Sequence, residues 1–310
     1  MNSPFLDRLE RGPILADGAI GTLLYAQGVS PKACFEELNI AQAEAVAEVH
    51  RRYLQAGAEI IGTNTFAANR IRLAEHGLQA QVREINLQAA RIARDARDLM
   101  GAPAFVAGVL GPIGIAIFED AGSRVPVTRE AYQEQIEALV DGGVDLIALE
   151  TFDSLAEVEE VVLNIKSACD LPIMVQLAFN AEGRTASGET PEDVVRLLES
   201  LGVNVVGANC GAGPQTVQDV VQRMVAVAKV KVSAQPNVGQ PSRAQGRYLY
   251  DSTPAQFAAL ARRLLEVGAW VIGGCCGTTP EHIAAMRAVL LALARAEPAS
   301  HSLVVPVAMP

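Results

Sequence analysis

The stretch Val271-Ile-Gly-Gly-Cys-Cys-Gly-Thr-Thr-Pro280 passes from strand to helix within one short segment. Val271 and Ile272 read as the end of a buried strand. Gly273 and Gly274 remove side chains where the backbone must turn sharply or come close to a ligand. Thr279-Pro280-Glu281 reads as an N-cap and first helical turn, with proline at its favoured position. Between them stand two adjacent thiols, Cys275 and Cys276. A strand that hands over directly to a helix is the repeating unit of a parallel α/β fold, and barrels of this kind place their chemistry at that junction.

The same unit recurs along the chain. Short apolar runs fall at Ile14–Asp17, Glu59–Thr63, Ala104–Leu110, Leu146–Glu150, Ile173–Phe179, Val203–Asn209, Val230–Gln235 and Trp270–Gly274. Helical periods lie between them, including Ala41–Ala56, Gln81–Met100, Arg129–Gly142 and Pro254–Val267. Eight such alternations predict an α/β chain forming a single (β/α)8 TIM-type barrel over residues 1–296. Residues 297–310 keep neither period and are expected to be a tail or linker. Thr190-Pro-Glu192 and Thr253-Pro254 repeat the threonine–proline helix start, and need no chemistry to explain them. The connections Gly111–Thr128 and Pro236–Ser252 are long and contain Gly and Pro, which predicts loops forming a lid or donor-facing rim. Tyr248-Leu-Tyr250 within the second reads as a short strand.

Half the chain is hydrophobic (50%), and its few aromatic residues suit buried parallel strands covered by helices. A net charge of −10 without a long basic run argues against a nucleic-acid surface. No apolar run is long enough to span a membrane. Met1–Glu10 lacks the basic and apolar regions of a signal peptide, so the expected compartment is the cytoplasm. The five cysteines therefore favour metal or catalytic use over disulfides. The four histidines show no His-Glu-x-x-His spacing, which disfavours a histidine-based zinc site.

Polar residues gather at the C-terminal ends of the apolar runs: Asp17, Asn64, Glu150, Asn209, Cys210, Asn237, Cys275 and Cys276. Zinc held by thiolates takes four ligands, and a catalytic site keeps one position open. Adjacent Cys275 and Cys276 need a third partner. Cys210, in Val205-Val-Gly-Ala-Asn-Cys-Gly-Ala-Gly213, has the same grammar of apolar strand, small residues, Cys and Gly. Glu150 ends four apolar residues, where an unpaired carboxylate is rare. Simpler readings stand beside these. Asp17 also suits a turn tie, Asn64 and Asn209 also suit satisfaction of loop backbone groups, and Cys34 and Cys169 read as ordinary apolar filling.

These motifs resemble the homocysteine S-methyltransferase family. The resemblance rests on Gly273–Pro280 with the upstream Asn209-Cys-Gly211. It extends through Asp17-Gly-Ala-Ile-Gly-Thr22, Cys34-Phe-Glu-Glu-Leu-Asn39, Gly62-Thr-Asn-Thr-Phe66, Leu149-Glu-Thr151 and Gln235-Pro-Asn237. It is strongest to bacterial members carrying a methylenetetrahydrofolate reductase module, and extends to the homocysteine module of cobalamin-dependent methionine synthase. The resemblance implies a zinc-dependent enzyme that methylates homocysteine to methionine, with Cys210, Cys275 and Cys276 as the zinc ligands. It implies substrate contacts from Asp17, Gly18 and Glu150, with backbone N–H groups near Gly18 and Ala19, or near Gly273 and Gly274, for the carboxylate. Asn64 and Asn209 are expected beside the substrate. Asn237 resembles the residue that fills the open metal position in some relatives, and equally suits a hydrogen bond to the amino group. The donor would be a small molecule or a corrinoid-bound methyl group. A methylenetetrahydrofolate reductase or cobalamin module is an expected partner. Two other readings remain: a zinc-binding homocysteine module inactive without a separate donor module, and an unrelated barrel enzyme. The last would need a Schiff-base lysine or a phosphate loop, and the strand ends offer neither.

Overall fold

The computed structural model describes residues 3–113, 121–239, 242–244, 247–249 and 252–296. Among them, eight parallel strands form one sheet: β1 (Ile14–Leu15), β2 (Ile60–Gly62), β3 (Phe105–Leu110), β4 (Leu146–Phe152), β5 (Ile173–Leu177), β6 (Val205–Cys210), β7 (Lys231–Pro236) and β10 (Val271–Ile272). Neighbours follow chain order. A parallel bridge between Ala16 and Ile60 joins the first strand to the second, so the sheet closes on itself. Each of the eight runs read from sequence overlaps one of these strands. Helices cover the outside, as the alternation requires.

Side-chain alternation divides the barrel into two cores. Ile147, Leu149, Val175, Val206 and Ile272 point outward into the layer shared with the helices. Ile14, Ala16, Ile60, Ala107, Leu146, Ala148, Met174, Val205 and Val271 point inward and fill the lumen. Helix α1 (Pro4–Leu9) packs Phe5 and Leu9 onto that inner cluster. Arg8 pairs with Glu59, just ahead of β2, at 2.7 Å, and the Trp270 indole N–H, just ahead of β10, donates to the Leu9 carbonyl. The first helix therefore plugs the end of the barrel where strands begin.

Above the apolar layer the lumen turns polar. Gln176 donates to Ser233 at 3.0 Å and to Gln235 at 2.6 Å. Gly207 faces Ser233, and a Cβ there would lie 2.0 Å from the Ser233 hydroxyl oxygen and 2.2 Å from its carbonyl oxygen. Inward positions of the next layer lie at the opposite end from α1, and they carry the site.

Two connections differ from expectation. Gly111–Thr128 is not loop throughout, because a helix runs over Ala121–Asp141. The apolar period that marks its body begins only at Arg129, so its first turns are silent in sequence. The rest of that connection, 114–120, lies outside the described residues. Pro236–Ser252 contains a two-stranded antiparallel pair, β8 (Ser242–Ala244) with β9 (Arg247–Leu249). The short strand read at Tyr248-Leu-Tyr250 is thus present through Leu249, and Tyr250 lies outside the described residues. So does the expected tail, 297–310; the last helix ends at Ala296.

Candidate active site

A cavity of about 470 Å³ opens at the C-terminal ends of the strands. Its lining includes Asp17, Gly18, Ala19, Asn64, Glu150, Asn209, Cys210, Cys275 and Cys276. These residues come from five strand ends or their following loops, those of β1, β2, β4, β6 and β10, and converge on one space, as the barrel geometry demands. Asn237 is buried beside β7 and outside that lining. Its Nδ2 reaches the Gly211 carbonyl at 3.5 Å, and its side-chain oxygen has no partner among the described residues.

Three sulfurs meet here. The Sγ atoms of Cys210, Cys275 and Cys276 lie within 4.8 Å of one another, and Cys210 to Cys276 is 3.9 Å. A tetrahedron of thiolates around zinc, with bonds of about 2.3 Å, has sulfur–sulfur edges of about 3.8 Å. The three residues fit a metal held by thiolates with one position open. Cys210 reaches the set only by adopting a left-handed backbone, φ 51°. That conformation turns its side chain off the outward face that strand alternation would give it. Without a metal the three titrate together. Cys210 is pushed down to about 3 by hydrogen bonds from Cys275 and Cys276. Its partners are pushed up, each first by its bond to Cys210. A bound cation favours ionising all three.

Glu150 continues the inward face of Leu146 and Ala148 and stands at the cavity wall. Burial, and then the charge of Cys276, push its carboxyl up to about 7. Asp17 accepts the Gly62 N–H at 2.9 Å. Burial raises it well above the carboxylate range, the Gly62 bond opposes this, and Glu150 adds to it. Two carboxyl groups in a cavity whose lining, among the described residues, holds no arginine or lysine suit a cationic guest.

The backbone around the thiols is pinned by a residue that sequence reading passed over. Thr278 donates to the Cys275 carbonyl at 2.7 Å and accepts the Ala19 N–H at 3.1 Å. Tyr53, fully buried, donates to the Ala19 carbonyl at 2.9 Å and reaches the Thr278 carbonyl at 3.2 Å. Gly18 and Gly274 both pack against Thr278, where an added Cβ would come within 2.3 and 2.4 Å of its hydroxyl. Gly273 and Gly274 therefore serve close backbone packing. Neither amide faces the cavity: Gly273 donates to the Ala234 carbonyl and Gly274 to that of Asp17. With Ala19 engaged by Thr278, Gly18 is the one of the four expected carboxylate amides without an internal acceptor among the described residues.

Asn64 and Asn209 also spend their amides internally. Asn64 donates to the Phe35 carbonyl at 2.7 Å and to Asn39 at 3.0 Å. Asn209 accepts the Thr151 N–H and donates to the Thr151 hydroxyl, both at 2.9 Å. Cys34 is buried and its thiol is pushed up to about 11, first by burial and then by Glu36. Cys169 ends a helix away from the cavity. Neither lines the cavity.

Residues 14–290 match the family model described as Homocysteine S-methyltransferase. The chain resembles the homocysteine methyltransferase MmuM from Escherichia coli in its oxidized form, with 26% identity and a TM-score of 0.79, covering 93% of this chain and 99% of that one. For the metallated form the values are 27%, 0.77, 92% and 98%. It is also 30% identical to the methionine synthase of Mycobacterium tuberculosis over 311 residues, 96% of this chain and 26% of that protein. The chain thus spans about a quarter of the methionine synthases it matches.

Proposed function

We propose that this chain, which belongs to the homocysteine S-methyltransferase family, transfers a methyl group to the sulfur of homocysteine and releases methionine. The observation that carries this is the convergence of three cysteine sulfurs with Glu150 and Asp17 in one cavity. Thiolates select soft or borderline metals, and zinc is the one this donor set suits best. When bound, zinc would remove the thiol proton at neutral pH, where a free thiol of pKa about 8.5 is mostly protonated.

The chain's own residues do the rest. Cys210, Cys275 and Cys276 would hold the metal and place their negative charge behind the substrate sulfur, keeping it electron-rich. Glu150 would accept hydrogen bonds from the substrate ammonium, and that cation in turn favours the ionised carboxylate against the upward push of burial. Asp17 would lend a second negative charge, and the Gly18 amide would face the substrate carboxylate. With its tail fixed, the sulfur attacks the donor's methyl in line: the S–C bond forms as the bond to the donor breaks, and the electron pair leaves with the donor.

A second reading rests on the likeness to one quarter of the methionine synthases. There the chain would supply activated homocysteine to a corrinoid or folate module. One set of assays decides between them. Zinc content is measured on protein prepared under reducing conditions. Methionine formation from homocysteine is followed with betaine, S-methylmethionine, methyltetrahydrofolate and methylcobalamin separately, with Cys276→Ala as control. One zinc per chain and turnover on a small free donor, abolished by the substitution, is the expected result. Turnover on methylcobalamin alone selects the second reading. Absence of zinc would sink both.

A further inference from the structure

We propose that Asn209 is a positioning residue that couples the two halves of the site, aiming Glu150 through Thr151 and steadying Cys275. The inference rests on the reading above, in which Glu150 takes the homocysteine ammonium.

The geometry begins in β4. Its register with β5 pairs Leu149 with Val175, then Phe152 with Leu177, so β4 spends one residue more than its partner across this step. That extra residue is a bulge, a device that re-aims side chains at strand ends. Thr151 absorbs it with φ 60°. A β-branched residue rarely holds a left-handed backbone unless its surroundings impose it. Glu150 is the neighbouring residue, so the direction of its carboxylate depends on Thr151 staying there.

Asn209 supplies the constraint. It is 1% exposed on the inward face of β6. Its Oδ1 accepts the Thr151 N–H and its Nδ2 donates to the Thr151 hydroxyl, closing a two-point clamp. The opposite amide orientation would set two N–H groups against each other, so the first of these bonds fixes the orientation. The same Nδ2 lies 3.8 Å from the Cys275 sulfur, within reach of a donor to a thiolate. Asn209 also immediately precedes Cys210, the site's other non-glycine residue with positive φ. One residue therefore clamps one strained strand end, adjoins the other along the chain and reaches a metal ligand. Its polar atoms are committed within the protein, and it acts on substrate only through Glu150 and Cys275.

The test uses the zinc-loaded full chain and four proteins: wild type, Asn209→Ala, Thr151→Gly and the double variant. Homocysteine affinity is read by calorimetry and zinc affinity by chelator competition, with circular dichroism reporting the fold. Removing a residue that orients a metal site's ligands costs 10- to 100-fold in metal affinity or activity, and Asn209→Ala is expected to lose about that much in both readouts. Glycine accepts a left-handed backbone without a clamp. Adding Thr151→Gly should then restore most of the homocysteine affinity and none of the zinc affinity. Such a split is not produced by general loosening of the barrel. Asn209→Asp is the second variant: it keeps an acceptor for the Thr151 N–H and loses the donor to Cys275. Hydrogen exchange should show its Thr151 amide still protected while zinc binding weakens.

Both affinities within twofold of wild type in Asn209→Ala would overturn the proposal. So would losses that simply multiply in the double variant. If wild type binds no homocysteine, the functional reading falls, yet Thr151 exchange and zinc affinity still decide the role of Asn209.

Discussion

Asp17 carries a carboxyl group where the barrel offers little water, and the cost falls on folding. Its folded pKa lies above the ordinary value, so the native state holds that proton more tightly than the unfolded chain. The cost is therefore full above the folded pKa, shrinks as pH falls from there toward the ordinary carboxylate value, and is gone below it. Asp17→Asn keeps an oxygen for the Gly62 N–H and removes the charge. It is expected to raise stability by about 1 kcal/mol, the usual yield of relieving a strained functional residue, while weakening homocysteine binding at least tenfold. Urea midpoints and calorimetry on the same preparations read the two effects. A variant that is both less stable and fully able to bind would refute the assignment. His50 shows the opposite sign. It is fully buried in the helix Ala43–Ala56, neither ring nitrogen has a partner among the described residues, and burial lowers its pKa to about 4 from 6.5. The unfolded chain then binds a proton between those values that the native state refuses. Stability falls as pH drops through this window, by about 2 kcal/mol between pH 6.5 and pH 5. His50→Leu should lose that part of the slope. Identical slopes in wild type and variant would show that other groups set the acid response.

At the scale of strands and loops, the sequence was most readable where burial alone fixes the residue type. Each of the eight apolar runs marks a strand because both faces of a barrel strand are covered, and the junctions carry polar residues because only there does the lumen open. Cys210, Cys275 and Cys276 were legible for the same reason: thiols at strand ends have few other uses. Thr278 and Tyr53 were not, since their contact joins residues 225 positions apart and the helix-start reading of this stretch falls on Thr279. For Asn209 two readings stayed open, a place beside the substrate and satisfaction of loop backbone groups. A strand-end asparagine looks the same whether it faces a ligand or a neighbouring backbone. Gly207 is a further silent position. It sits mid-strand, where glycine ordinarily weakens a sheet, and only the Ser233 backbone and hydroxyl on the adjoining β7 explain it. Because the clash is with backbone, no rotamer change relieves it. Gly207→Ala is expected to cost roughly 3 kcal/mol or more by overpacking. It should also loosen zinc binding, because Asn209 and Cys210 lie just beyond on the same strand. Guanidinium unfolding and chelator competition would check the pair, and an unchanged unfolding midpoint would contradict the packing account.

The whole molecule divides its labour between its two ends. One end holds the raised carboxyl groups, two left-handed residues and the sulfur cluster, all of which cost stability. The other is closed by the first helix, whose Phe5 and Leu9 are 1% and 2% exposed against the lumen cluster. Phe5 also meets Phe105 edge to face at 5.5 Å. The bidentate Arg8–Glu59 pair is partly solvated at 26% and 29% exposure, which places it among ion pairs worth at most about 1 kcal/mol. Apolar burial, not that pair, must hold the plug. Phe5→Ala should therefore cost about 3–4 kcal/mol, as for other large-to-small core changes, and Arg8→Ala much less. The apolar cluster under the plug shares no residue with the cavity lining, so folded Phe5→Ala should bind zinc and homocysteine with wild-type affinity at low temperature. It should lose both only as it unfolds. Stability from denaturant titration, set against zinc affinity in native buffer, separates the two ends. If Phe5→Ala weakens zinc while still folded, the barrel transmits strain along its strands, and the division between a stabilising end and a reactive end fails.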